Sequence, residues 1–146
     1  MSMLQCVVIT KSIIDEALAQ SQSPGKHLLE PLKTLAAQSG LPFNILEDCE
    51  VTKNDAEVHE EEGDLWLCLQ GEARFVVDGA LVEPKTNLQS DGTPKKGEFY
   101  AEKIDGGKEV VLTEGDWLWV PPGQPHQHTC PDTARLMIIK IPAKCV

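Results

Sequence analysis

Apolar residues follow two different rhythms along this chain. Over residues 11–22, Ile13, Ile14, Ala17 and Leu18 recur at the spacing of one helical face. From Ser23-Pro24-Gly25 a second helical stripe is expected, carrying Leu28, Leu29, Leu32, Leu35 and Ala36 and ending at Gly40-Leu41-Pro42. Pro31 falls in its first turns, where a missing N–H is tolerated. Past Pro42 the period becomes two. Leu65, Leu67 and Leu69 alternate with Trp66 and Cys68, and the run breaks at Gln70-Gly71. Ala73–Val77 follows, closed by the turn Asp78-Gly79. Val110–Leu112 and Trp117–Val120 read as further strands, and Arg135–Ile141, apolar on both faces, reads as an interior one. The polar, turn-rich stretch from Pro84 to Gly107 reads as a long surface excursion. The pattern predicts a mainly β domain over residues 43–146, a sandwich or barrel, with residues 1–42 as a helical decoration of the same domain.

Length and charge narrow the partners. A chain of 146 residues suits one domain with one closed core. Its 13 basic and 23 acidic residues leave a formal charge of −10, which repels phosphate backbones and anionic lipid, so neither nucleic acid nor a membrane surface is an expected partner. The five cysteines are odd in number, scattered and without a CxxC pair, which favours free thiols in a reducing cytosol. LQCVVIT is apolar for only a few residues and lacks the basic flank of a leader, and no apolar run approaches membrane-spanning length. A cytoplasmic protein is expected.

Two polar stretches carry candidate chemistry. In Ala56–Asp64, AEVHEEEGD, an extended chain would put Glu57, His59 and Glu61 on one face, with Asp64 opening the next strand close by. In Gly115–Cys130, GDWLWVPPGQPHQHTC, a Gly-Asp turn starts a strand, Pro121 ends it, Gly123 turns the chain, and His126 and His128 share a face on re-entry. Imidazole nitrogens with a carboxylate suit Fe(II), Mn(II), Ni(II) or Zn(II). Two histidines with one carboxylate leave coordination positions open.

The two stretches together resemble the paired motifs of the cupin superfamily, G-x5-H-x-H-x3,4-E-x6-G and G-x5-P-x-G-x2-H-x3-N. Gly115, Pro121, Gly123 and His126 match the second motif in every spacing, with Cys130 where the final Asn would be. In the first motif, His59 takes the second histidine, Asp64 replaces Glu at the right distance from Gly71, Glu57 stands in place of the first histidine, and the leading glycine is absent. The resemblance covers about residues 51–130 and implies a single cupin-type jelly-roll β-barrel over 43–146, often a homodimer, with a metal inside. By the family pattern the ligands are His59, Asp64 and His126, with Glu57 as a fourth.

Plainer roles are expected for the other residues. Glu60, Glu61 and Glu62 read as a solvated turn, and His27 as a surface residue at a helix start. His128 reads as a pocket-lining hydrogen bonder. Trp66, Trp117 and Trp119 read as core or interface packing, with Trp66 a pocket wall if its face is the inner one. Cys68 and Cys130 read as small buried side chains. The functional expectation is a metal-dependent enzyme, dioxygenase-like, acting on a small polar metabolite. It would hold a divalent transition metal, Fe(II) favoured and Zn, Ni or Mn the alternatives, with Glu57 or His128 moving a proton. A sugar isomerase or epimerase of the same fold, and a non-catalytic module binding a small-molecule ligand, are the alternatives.

Overall fold

The computed structural model describes residues 4–146. Among the described residues, twelve strands run in the order β1 (Gly25–Leu28), β2 (Phe43–Val51), β3 (Ala56–His59), β4 (Glu62–Gly71), β5 (Ala73–Val77), β6 (Ala80–Leu81), β7 (Lys85–Leu88), β8 (Pro94–Ala101), β9 (Ile104–Asp105), β10 (Lys108–Leu112), β11 (Trp117–Val120) and β12 (His126–Pro142). Helix α1 (Lys11–Leu18) precedes β1, and α2 (Leu32–Ser39) separates β1 from β2. The mainly β fold expected from the sequence is present, built from antiparallel sheets.

The architecture turns on β12. Its first residues, His126–Thr129, pair antiparallel with β5, and His126 also stands opposite Glu57 of β3. Its later residues pair with β2 on one side and with β4 on the other. Between them, at Cys130–Thr133, the register shifts and the strand folds over. Strands β4 and β5 make the same turn at Gly71, which has φ +76; a Cβ there would stand 2.0 Å from the carbonyl oxygen of Thr133. One sheet therefore runs β1-β2-β12-β4-β11 and the other β7-β8-β3-β12-β5-β10, joined through the folded strand.

Strand alternation decides what lies between the sheets. Trp66 and Cys68 of β4, Phe75 and Val77 of β5, and Ala134, Leu136 and Ile138 of β12 form the inner core with Leu46, Leu112 and Val120. Fully burying an aromatic such as Phe75 contributes about 1.5–3 kcal/mol. The outer face of the β2-β12-β4 sheet carries Ile45, Leu69 and Met137, covered by Ala17 of α1, Leu32 of α2 and Leu29 just ahead of α2. A buried ion pair fastens that cover. Arg135 donates to Glu47 at 2.7 Å and to the carbonyls of Leu18 and Gln20 at 2.5 and 2.6 Å.

Three segments differ from the sequence expectation. Residues 25–28 form a strand against β2 and not the start of a helix. Leu28 belongs to the inner core and Leu29 to the outer one, so their helical spacing with Leu32 hides a chain that crosses between two apolar surfaces. α2 begins only at Leu32, after Pro31, and ends at Gly40 in the left-handed region, as its stop signal requires. Residues 84–107 are not an unstructured excursion: they contribute β7, β8 and β9. His27 accordingly lies on a strand, its Nε2 3.2 Å from the buried carboxylate of Glu47.

Candidate metal centre

The open end of the jelly roll gathers the candidate residues because three strands end or begin there. In β3, Glu57 and His59 are two residues apart and share a face. Asp64, the third residue of β4, lies on the inner face, in phase with Trp66 and Cys68. His126 opens β12, opposite Glu57. The turn before it is tied to the first motif: the Gly123 N–H donates to the His59 carbonyl at 2.8 Å, in a turn where Gly123 adopts φ +83. Glycine takes that conformation without the Cβ clash other residues meet.

The side chains converge as the spacing suggested. Asp64 Oδ2 lies 3.3 Å from His126 Nε2 and 3.6 Å from His59 Nε2. Glu57 Oε2 is 3.5 Å from His59 Nε2 and 4.0 Å from His126 Nε2. Donor atoms of Glu57, His59 and His126 fall within 4.8 Å of one another. Both imidazoles are held with Nε2 inward: His59 Nδ1 donates to Glu98, and His126 Nδ1 to the Gln124 carbonyl at 3.3 Å. Each Nδ1 faces an acceptor, so the neutral form of either ring carries its proton there and turns the lone pair of Nε2 inward.

Two of these inward atoms, Asp64 Oδ2 and His126 Nε2, are buried and make no hydrogen bond. Each such atom costs about 1–3 kcal/mol if left so. A divalent cation would relieve both, and the donor set of two imidazoles and carboxylates is the one that binds such ions. The residues present fit a metal.

Charge inside the cluster is compensated locally. Burial raises the Asp64 carboxyl, but the His126 imidazole and the Lys140 ammonium, 2.7 Å from its Oδ1, outweigh this and bring it down to about 2. Burial likewise raises Glu57, but His59, and then Lys26, bring it to about 2. His59 is lowered by burial yet ends above the usual histidine range because Glu57, Asp64 and Glu98 favour its cation. Both carboxylates are ionised at neutral pH and ready to bind a cation, whereas His59 must give up any proton first.

His128 shares the inward face with His126 but sits deeper. Its Nδ1 is 2.5 Å from Asp48 Oδ2, and its ring packs 5.2 Å from Trp66 and 5.4 Å from Phe75. The contacts described for His128 are with this buried group and not with Glu57, His59, Asp64 or His126. Trp66 is an inner residue, whereas Trp117 and Trp119 are 57% and 38% exposed on the outer face. Cys68 and Cys130 are buried free thiols, and burial pushes Cys68 up to about 11.

The glutamate run divides. Glu60 and Glu61 are exposed, but Glu62 is half-buried and groups with His59 and Glu98. Two residues of the centre went unread in the sequence. Glu98 lies in β8, within the stretch taken for an excursion, where it stands opposite His59. Lys140 lies in β12 opposite Asp64. Only Lys140 left a signal, as a cation inside the otherwise apolar run Leu136–Ile141.

No protein-family model and no curated protein matches the sequence. Among solved structures the chain is similar to the cupin domain of Drosophila melanogaster CENP-C, at 11% identity over 84% of this chain and 72% of that one, with a TM-score of 0.49. It is similar to an oxalate oxidase at 13% identity over 84% of this chain and 54% of that one, TM-score 0.48. It is also similar to hydroquinone 1,2-dioxygenase from a Sphingomonas species, at 15% identity over 68% and 59%, TM-score 0.45. The chain spans 41–60% of the length of four other solved chains it matches. Likeness at this level bears on neither ligand nor chemistry.

Proposed function

We propose that this protein binds a divalent transition metal through His59, His126 and Asp64, with Glu57 as a fourth donor, and acts as a dioxygenase-like enzyme on a small metabolite. The observation that carries the reading is the pair of buried atoms without hydrogen bonds, Asp64 Oδ2 and His126 Nε2, facing His59 Nε2. Fe(II) is favoured because a donor set of two imidazoles and one carboxylate would suit that ion and leave it coordination positions for chemistry. The metal would supply redox activation and a Lewis-acid anchor. The chain's own residues do the rest. Glu98 and the Gln124 carbonyl hold the imidazoles in the coordinating tautomer, Lys140 keeps Asp64 ionised, and half-exposed Glu57 can pass a proton between ligand and solvent.

Elemental analysis of protein purified without chelator tests the site. Roughly one equivalent of a transition metal per chain is expected from a single centre. Oxygen uptake across catechols, thiols and keto acids by the Fe(II)-loaded protein tests the reaction class.

One observation favours a second reading. Lys140 already neutralises Asp64 from the other side, so the cluster is partly compensated without a metal. A chain that retains no metal on reconstitution would be a module binding its ligand through Lys140 and the histidines. A homodimer accompanies either reading, formed on the outer face where Trp117 and Trp119 stand opposite Leu67 and Leu65 beyond the cover of the helices.

A further inference from the structure

Next to the proposed centre lies a small pocket that none of its ligands lines. Its volume is about 180 Å³, below the roughly 300–1,000 Å³ of sites for drug-sized ligands, so its occupant is small. Leu28, Leu41, Pro42, Phe43 and Ile138 supply its apolar walls. The polar positions are Asn44, whose Oδ1 is buried without a hydrogen bond, and Lys140. Lys140 joins the pocket to the centre, since its Nζ is 2.7 Å from Asp64 Oδ1.

A second cation stands on β1, the strand that carries Leu28 of the pocket wall. Lys26 lies two residues from Leu28 on β1, on the same strand face, and its charge helps to hold the Glu57 carboxyl down. Lys140 is paired with Asp64 at 2.7 Å and lies 3.6 Å from Glu62, so an anionic head group would share these cations with the carboxylates of the centre.

We infer that this pocket receives the apolar body of a small carboxylate, whose head group lies toward Lys140 and the centre. The inference rests on the proposed metal site only for the head group's second anchor; the walls and Lys140 stand without it. It replaces a wholly polar metabolite with an amphipathic acid. Apolar walls reward each buried CH₂, whereas acetate, which has no body to bury, gains nothing from them. An amide of the same shape fills the walls but offers Lys140 no charge.

The test is binding of isovalerate, acetate and isovaleramide to the full chain, followed by calorimetry and NMR shifts, in metal-free protein and after addition of Zn(II). Isovalerate is expected to bind at least tenfold more tightly than acetate in both forms, and at least fivefold more tightly than isovaleramide with Zn(II) present. Leu41→Trp, which fills the pocket, should abolish the preference for isovalerate over acetate, and Lys140→Met the preference over the amide. Circular dichroism checks that both variants fold. Isovalerate that binds no better than acetate, fails to bind in either form, or keeps its preference in folded Leu41→Trp overturns the inference. Zn(II) binding is titrated separately, so a protein that binds no metal sinks the proposed centre while the isovalerate-to-acetate ratio still decides the pocket.

Discussion

Lys140 Nζ lies 2.7 Å from Asp64 Oδ1, while the other oxygen of the same carboxylate faces His126 at 3.3 Å. A cation entering at Oδ2 would therefore meet a fixed positive charge across the carboxylate. At an effective dielectric of about 20, unit charges 4 Å apart interact by about 4 kcal/mol, so even partial screening leaves a measurable effect. Lys140→Met is expected to raise Zn(II) affinity at least fivefold in chelator-competition titrations. A fall would show that Lys140 orients Asp64 more than it opposes the ion.

Removal of a ligand should act the other way. His126→Ala is expected to lower metal affinity at least tenfold. Glu98→Gln, which weakens the grip on His59 Nδ1 without touching Nε2, should lower it by a smaller factor. Equal affinity in His126→Ala and the parent would place the metal elsewhere.

The pH dependence has two limbs of opposite sign. Asp64 and Glu57 have folded values of about 2, against ordinary values of 3.8 and 4.5. The stability they contribute is present above the ordinary values and is lost as pH falls toward 2. His59 is raised above 6.5, so its contribution is present below that value and fades as pH rises through its folded value. Urea midpoints of metal-free protein should fall between pH 5 and 2.5, and the double variant Glu57→Gln/Asp64→Asn should flatten that limb. Metal affinity should rise with pH as His59 loses its proton.

Arg135 and Glu47 form a buried pair holding the end of α1 to the sheet. Arg135→Met leaves the buried Glu47 carboxylate with only His27 and the Ser23 N–H beside it and should cost up to about 3–5 kcal/mol in urea unfolding. Changing Glu47 to Met as well should recover much of the loss, since an apolar pair of similar volume suits the same space.

Trp117→Asp/Trp119→Asp tests the outer face. The variant should fold, because both side chains are substantially exposed, and should elute as a monomer in light-scattering chromatography where the parent is a dimer. A monomeric parent would remove that face from consideration.

How much of this was legible in the sequence depended on distance along the chain. The strands Asp64–Gly71, Ala73–Val77 and Trp117–Val120 were readable because alternation is a local signal, as was the spacing among Gly115, Pro121, Gly123 and His126. Glu98 was not readable: its place depends on β8 lying against β3, a pairing that no local pattern encodes. Lys140 was visible as an anomaly, but its partner Asp64 is 76 residues away. Leu28 and Leu29 misled because each serves a different core, and adjacency imitated a helical stripe.

One last consequence follows from the fold in β12. His126 and Lys140 belong to one strand, and fourteen steps of extended chain would put them about 46 Å apart. The turn at Cys130–Thr133 brings both ends within reach of a single carboxylate, one on each oxygen of Asp64. Asp64 is thus a clasp that closes the strand on itself. The hinge of that clasp lies by Gly71, at the other end of β4 from Asp64, so a residue inserted between Pro131 and Thr133, away from every donor atom, should loosen the centre as surely as losing one of its ligands.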